Sequence, residues 1–83
     1  MNKKRREDLR SAIALISSAS HIVQRVCNKE EDCVDNYPEN LQGTERYETM
    51  EYTVDCLNDA LDMLSDLKDK LNLVIHGGVI DIG

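Results

Sequence analysis

The chain contains no tryptophan and no phenylalanine, and three tyrosines are its only aromatic residues. No row of aromatic rings is therefore present to stack nucleic-acid bases. There is one proline, Pro38, and only four glycines, so long stretches are free of helix breakers. No run approaches the roughly 18 apolar residues of a membrane span. The cysteines, Cys27, Cys33 and Cys56, are odd in number, and Met1–Asp8 is followed by an amphipathic stretch instead of an apolar leader. These absences lead to the expectation of a reduced chain in the cytoplasm, away from membranes. With 83 residues it forms one domain at most. A lone core of this size supplies no more than about 3–5 kcal/mol, so a partner or a staple is expected.

Bases are also scarce, ten against sixteen acids, for a net charge of −6. The deficit is uneven. Residues 1–29 hold seven bases and two acids, a net of +5, while residues 30–83 hold three bases and fourteen acids, a net of −11. Such asymmetry bears on partners, whether one half faces the other or an acidic surface faces a basic protein.

What is present is helical periodicity. Leu9, Ala12, Ile16, Ala19, Val23, Val26, Glu30, Cys33 and Tyr37 alternate steps of three and four, the pattern of a helix packed along its length. Ile13, Cys27 and Val34 widen the stripe on one side, and Leu15 and Ile22 on the other. A stripe this broad calls for more than one facing helix. Asn2 is the expected N-cap, and Pro38 sets the end, because the residue before a proline is pushed out of the α region. Such a helix would be about 50 Å long. A second series, Tyr47, Met50, Val54, Leu57, Leu61, Leu64, Lys68, Leu71 and Ile75, repeats the spacing more cleanly. Thr44 is its expected N-cap, with Glu45 and Glu48 early in the helix where the dipole favours anions, and Gly77 a left-handed stop.

The fold expected is all-α: a single domain over 1–83, with a helix over about 3–36, a corner at 37–43, a second helix over about 44–76 and a short non-helical tail at 77–83. A short link between long helices folds them back as an antiparallel hairpin. The broad stripe of the first helix would stay partly wet in a monomer, so a homodimeric four-helix bundle is expected, with Ile13, Leu15, Ile22 and Val34 docking the second copy. The tail, with Val79, Ile80 and Ile82, reads as a short extended segment packing on the bundle or on a partner, and alternatively as a hairpin around Gly77-Gly78.

The corner, NYPENLQGTERYE from Asn36 to Glu48, is the least generic stretch. Set between two such helices, it resembles a group of small uncharacterised proteins of bacterial phages and mobile elements. They share a PENLQ-type turn followed by Ser/Thr-Glu, and a second acidic helix like Val54–Leu61. The resemblance spans about residues 25–70. It implies a fold and a genetic setting, and it carries no catalytic residue. As structure, the corner is a rigid turn. As function, it is a recognition loop in which Asn40, Gln42, Arg46 and Tyr47 could hold an anionic ligand such as a nucleotide, with the planar fork of Arg46 as the anchor.

Other chemistry finds little support. Cys27 and Cys33 are six apart, outside zinc-ligand spacing, and on one helix lie roughly 9–10 Å apart, too far for a disulfide. Buried or half-buried thiols are expected. His21 and His76 have no Ser or Cys at a nucleophile's spacing, no Glu-x-x-His pair occurs, and Gly77-Gly78 follows a helix instead of opening one. No enzyme, metal or cofactor is expected. Lys3-Lys4-Arg5-Arg6 is a short basic patch on an acidic chain, which disfavours direct nucleic-acid binding.

The outer face of the second helix is the stronger signal. Asp55, Asp59, Asp62, Asp66 and Asp69 follow one another at steps of four and three. Like charges at this spacing cost roughly 0.2–0.5 kcal/mol per pair. The face is either a solvated surface, a partner for the basic start of the first helix, or a docking site for a basic protein. Its charge density, roughly one per 5 Å, falls short of duplex DNA at about one per 1.7 Å. The leading functional expectation is a non-catalytic interaction protein, a phage or mobile-element accessory factor that inhibits a host protein, in the defence machinery for example. An oligomeric sponge for an anionic small molecule and a purely structural assembly module are the alternatives.

Overall fold

The computed structural model describes residues 1–77. It contains two long helices, α1 (Lys3–Asp35) and α2 (Glu45–Ile75), joined by a corner with one short 3-10 turn, Glu39–Leu41. The helices run antiparallel and pack along their length. No strand occurs among the described residues. The helical hairpin expected from the periodicity is therefore the fold. The expectations for Val79, Ile80 and Ile82 lie outside the described residues.

Local chemistry sets each boundary. Asn2 takes an extended conformation, and its side-chain oxygen accepts the Arg5 amide at 2.9 Å. At the far end of α1, Asn36 closes the helix twice over: its backbone amide donates to the Asp32 carbonyl at 3.0 Å and its side-chain amide to the same oxygen at 2.8 Å. Thr44 caps α2 by accepting the Tyr47 amide at 3.3 Å, and its hydroxyl donates to the Leu41 carbonyl at 2.7 Å. Gly77, at φ 86°, ends α2 in the left-handed conformation that favours glycine.

The corner is tied to itself. Pro38 enters at φ −58° and opens the 3-10 turn, in which the Leu41 amide donates to the Pro38 carbonyl at 2.9 Å. The Gln42 side chain donates to the Tyr37 carbonyl at 3.4 Å. Gly43 sits at φ 90° with open space where a Cβ would go, so its backbone angle alone requires glycine. The Tyr37 and Tyr47 rings face each other across the corner, 5.5 Å between centroids.

On α2 the whole series picked out by spacing, Tyr47, Met50, Val54, Leu57, Leu61, Leu64, Lys68, Leu71 and Ile75, is half-buried or buried, with Thr53 and Ala60 half-buried beside it. Of the first series, Leu9, Ala12, Ile16, Ala19, Val23, Glu30 and Tyr37 are half-buried as expected, but Val26 and Cys33 are exposed. The packed seam lies slightly to one side of it: Cys27 is fully buried and Ile13, Ser20 and Val34 are half-buried. The α1 stripe is wide enough to hold two adjacent seams. One facing helix covers only one of them, and the small side chains of Ser17 and Ser20 suit the close approach on that side.

The hairpin is a rod of 62 × 20 × 14 Å with a radius of gyration of 18.5 Å, against about 12 Å for a compact domain of this length. A two-helix rod has no enclosed centre. Among the described apolar residues, Cys27 and Ile75 alone are buried.

Candidate functional site

Cys27 lies where the helices meet. Its Sγ is 3.5 Å from Glu31 Oε1 and 3.5 Å from Asn58 Oδ1 on the opposite helix. Burial pushes the thiol above its ordinary value, and the hydrogen bond to Glu31 and that carboxylate's charge push it further. Cys33 and Cys56 are exposed and all three thiols are free, so buried or half-buried describes only the first. Tyr52 on α2 is held above its usual value by its bond to the Cys56 thiol, then by the charge of that thiol, desolvation and Asp59.

The contacts Cys27–Asn58 and Tyr37–Tyr47 fix the register of the helices. Counting back along the hairpin, Asp62 lies level with Val23 and Asp69 with Ile16. The basic run Lys3–Arg6 lies beyond them, past the level of Ile75. The start of α1 is therefore not beside Asp62, Asp66 and Asp69, which corrects the pairing considered from sequence. One ion pair occurs among the described residues, Lys4 to Asp8 at 3.0 Å within α1. No base of α1 reaches an α2 carboxylate within ion-pairing distance among the described residues.

Asp55, Asp59, Asp62, Asp66 and Asp69 are all exposed. Helical geometry turns Asp59 and Asp66 directly outward and sets Asp55, Asp62 and Asp69 along one flat side of the hairpin. Near the corner this side contains a shallow groove lined by Glu31, Val34 and Asp35 of α1 and Glu51, Val54 and Asp55 of α2. Four carboxylates thus surround two valines. Sequence reasoning picked out Asp55 but not the other three acids of this groove. Their signal was present as two i,i+4 acid pairs, Glu31/Asp35 and Glu51/Asp55, placed symmetrically about the corner. Only the hairpin register brings the two pairs together.

The Gln42 amide is engaged by the Tyr37 carbonyl, and the Tyr47 ring is half-buried against Tyr37. Asn40 is exposed, and Arg46 is exposed beside Glu45, Thr49 and Met50. Of the residues expected to dock a second copy, Leu15 and Ile22 are exposed, whereas Ile13 and Val34 are half-buried within the hairpin.

Among the described residues no three His, Cys, Asp or Glu side chains group as metal ligands would. No described helix is long and apolar enough to cross a membrane. Comparison with protein-family models, with curated proteins and with solved structures finds no match to this chain.

Proposed function

We propose that the protein is a non-catalytic interaction protein that works as a homodimeric four-helix bundle and binds a basic protein surface through the acidic side of its hairpin. The observation that carries this reading is the uncompensated acid: five exposed aspartates on α2, none ion-paired with a base among the described residues, running into a groove where Asp55 is joined by Glu31, Asp35 and Glu51 around two valines. Such a groove suits a lysine or arginine of the partner. The aliphatic stem would lie over Val34 and Val54, and the cationic head would meet Glu31, Asp35, Glu51 and Asp55. The resemblance of the corner to phage and mobile-element proteins supplies the setting: an accessory factor acting in the cytoplasm of a bacterial host and inhibiting a host protein.

The test is capture of partners from a bacterial lysate at low and high salt. The expected result is a basic protein, released by salt and lost on Asp59→Lys, Asp62→Lys and Asp66→Lys together, or on Glu51→Lys alone. If the charge-reversed chain keeps both its partner and its biological effect, the reading is wrong.

A further inference from the structure

The hairpin leaves one broad apolar surface uncovered, and it belongs to both helices. On α1, Leu15, Ile22 and Val26 are exposed, Leu15 at 72%. They recur at steps of seven and four and so share one line along the helix. On α2, Met63, Leu67 and Val74 are exposed, Met63 at 71%, and they recur at steps of four and seven. Between each line and the packed seam lie small half-buried residues, Ala12 and Ala19 on α1 and Thr53 and Ala60 on α2. Each line is displaced from its seam in the same rotational sense, about 110° against the direction of chain advance at 100° per residue. Two antiparallel helices facing each other are related by a two-fold axis perpendicular to their common plane. Equal displacements therefore bring both lines to the same flat side of the hairpin, the side opposite Asp55, Asp62 and Asp69.

Two quantities identify what covers this side. The chain exposes 6358 Å², whereas a compact monomer of 9.4 kDa exposes about 5,000 Å². The excess exceeds the roughly 800 Å² that each partner contributes to a standard interface. The second quantity is charge along the rod. The corner half, residues 25–60, holds three bases and ten acids, a net of −7. The open half, residues 1–24 with 61–77, holds seven bases and five acids, a net of +2. Two copies stacked with corners at the same end would set −7 upon −7. Stacked head to tail, each acidic half lies on the other copy's basic half.

Resting on the homodimer reading above, we propose that a second copy of this chain covers the face of Leu15, Ile22, Val26, Met63, Leu67 and Val74, and that the two hairpins stack head to tail. The two-fold axis crosses the helices near the level of Ile22 and Met63, which makes the interface self-complementary. The acidic side of each hairpin then faces outward from the bundle, twice over, free for its partner.

Sedimentation equilibrium on the full chain tests the face. The expected result is a dimer for the natural sequence, a monomer for Leu15→Glu and for Met63→Glu, and an unchanged dimer for His21→Glu on the opposite side. Because Leu15 and Met63 make little contact within the hairpin, loss of helix in those variants with the His21→Glu dimer intact counts the same way. A natural chain that stays monomeric at several hundred micromolar overturns the dimer reading itself. A dimer that survives both glutamates overturns this face and leaves the dimer reading standing. The arrangement is read from spin labels at Asp35→Cys, on the opposite side, in a Cys33→Ser, Cys56→Ser chain, Cys27 being buried. Head-to-tail stacking sets the two labels roughly 40 Å apart or more, as twenty-six helical rises separate them. A separation under about 30 Å, as same-end stacking gives, overturns it.

Discussion

Cys27 is the residue on which the two helices agree. Its thiol is fully buried and donates toward Glu31 and Asn58, while Cys33 and Cys56 face water. In the monomeric Leu15→Glu chain two thiols should react promptly with an alkylating reagent at pH 8 and the third only on unfolding, a difference that mass spectrometry of timed samples would show. The raised thiol pKa also has a consequence for stability. The unfolded chain releases this proton near the ordinary value of 9.0, and the folded chain holds it to higher pH. The stability so contributed is complete below pH 9 and declines as pH rises through the folded value. Denaturant midpoints between pH 8 and 10.5 should fall, and fall less in Cys27→Ala. Gly43 is the other residue with one dominant cause. Its φ of 90° is costly for any residue with a Cβ, and nothing crowds the position, so Gly43→Ala should cost about 1–2 kcal/mol through the backbone alone. An equal or higher midpoint in the alanine variant would contradict this.

At the scale of elements, the two helices were unequally legible. The α2 seam was readable in full, because its apolar residues form one narrow series from Tyr47 to Ile75 and its caps are Thr44 and Gly77. The α1 series was broad, and spacing alone placed the seam through Val26 and Cys33. The structure places it through Cys27 and Val34, because a single facing helix can fill only one side of a wide stripe. Charge placement also differs. α2 begins with Glu45 and Glu48, as its dipole favours, whereas α1 begins with Lys3, Lys4, Arg5 and Arg6 and has no acid in its first turn. That opposes the dipole by about 0.3–1 kcal/mol per charge. Along α2, the aspartates repel one another at every turn. Salt screens such repulsion between exposed charges. In the monomeric Leu15→Glu chain, raising sodium chloride from 10 to ~300 mM, which shortens the Debye length several-fold, should therefore raise Tm at pH 7. In a chain with Asp59→Asn and Asp66→Asn the rise should be smaller, as thermal melts followed by circular dichroism would show.

For the whole molecule, the decisive fact is that a two-helix rod has nearly no interior. Leu15, Met63 and their neighbours stay wet in the hairpin, so stability should depend on chain concentration. Tm should rise between about 5 and 500 μM, because association stabilises by mass action. It should be flat in Leu15→Glu. The charge is likewise a property of the whole. The corner half is acidic and the open half basic, and the register keeps the basic start of α1 two turns or more beyond the aspartates it might have neutralised. The groove of Glu31, Asp35, Glu51 and Asp55 exists only because the chain turns back on itself at Pro38 and Gly43.

The sequence by itself determined that there are two helices, where they start and stop, and which line of α2 faces inward. These are local matters, settled by caps, by helix breakers and by spacing along a single element. Tertiary structure decided which half of the broad α1 stripe is covered, which acids meet across the corner, and that the uncovered apolar lines of both helices share one side. Each of these depends on the register and relative rotation of two helices, and no single helix carries that information in its own period.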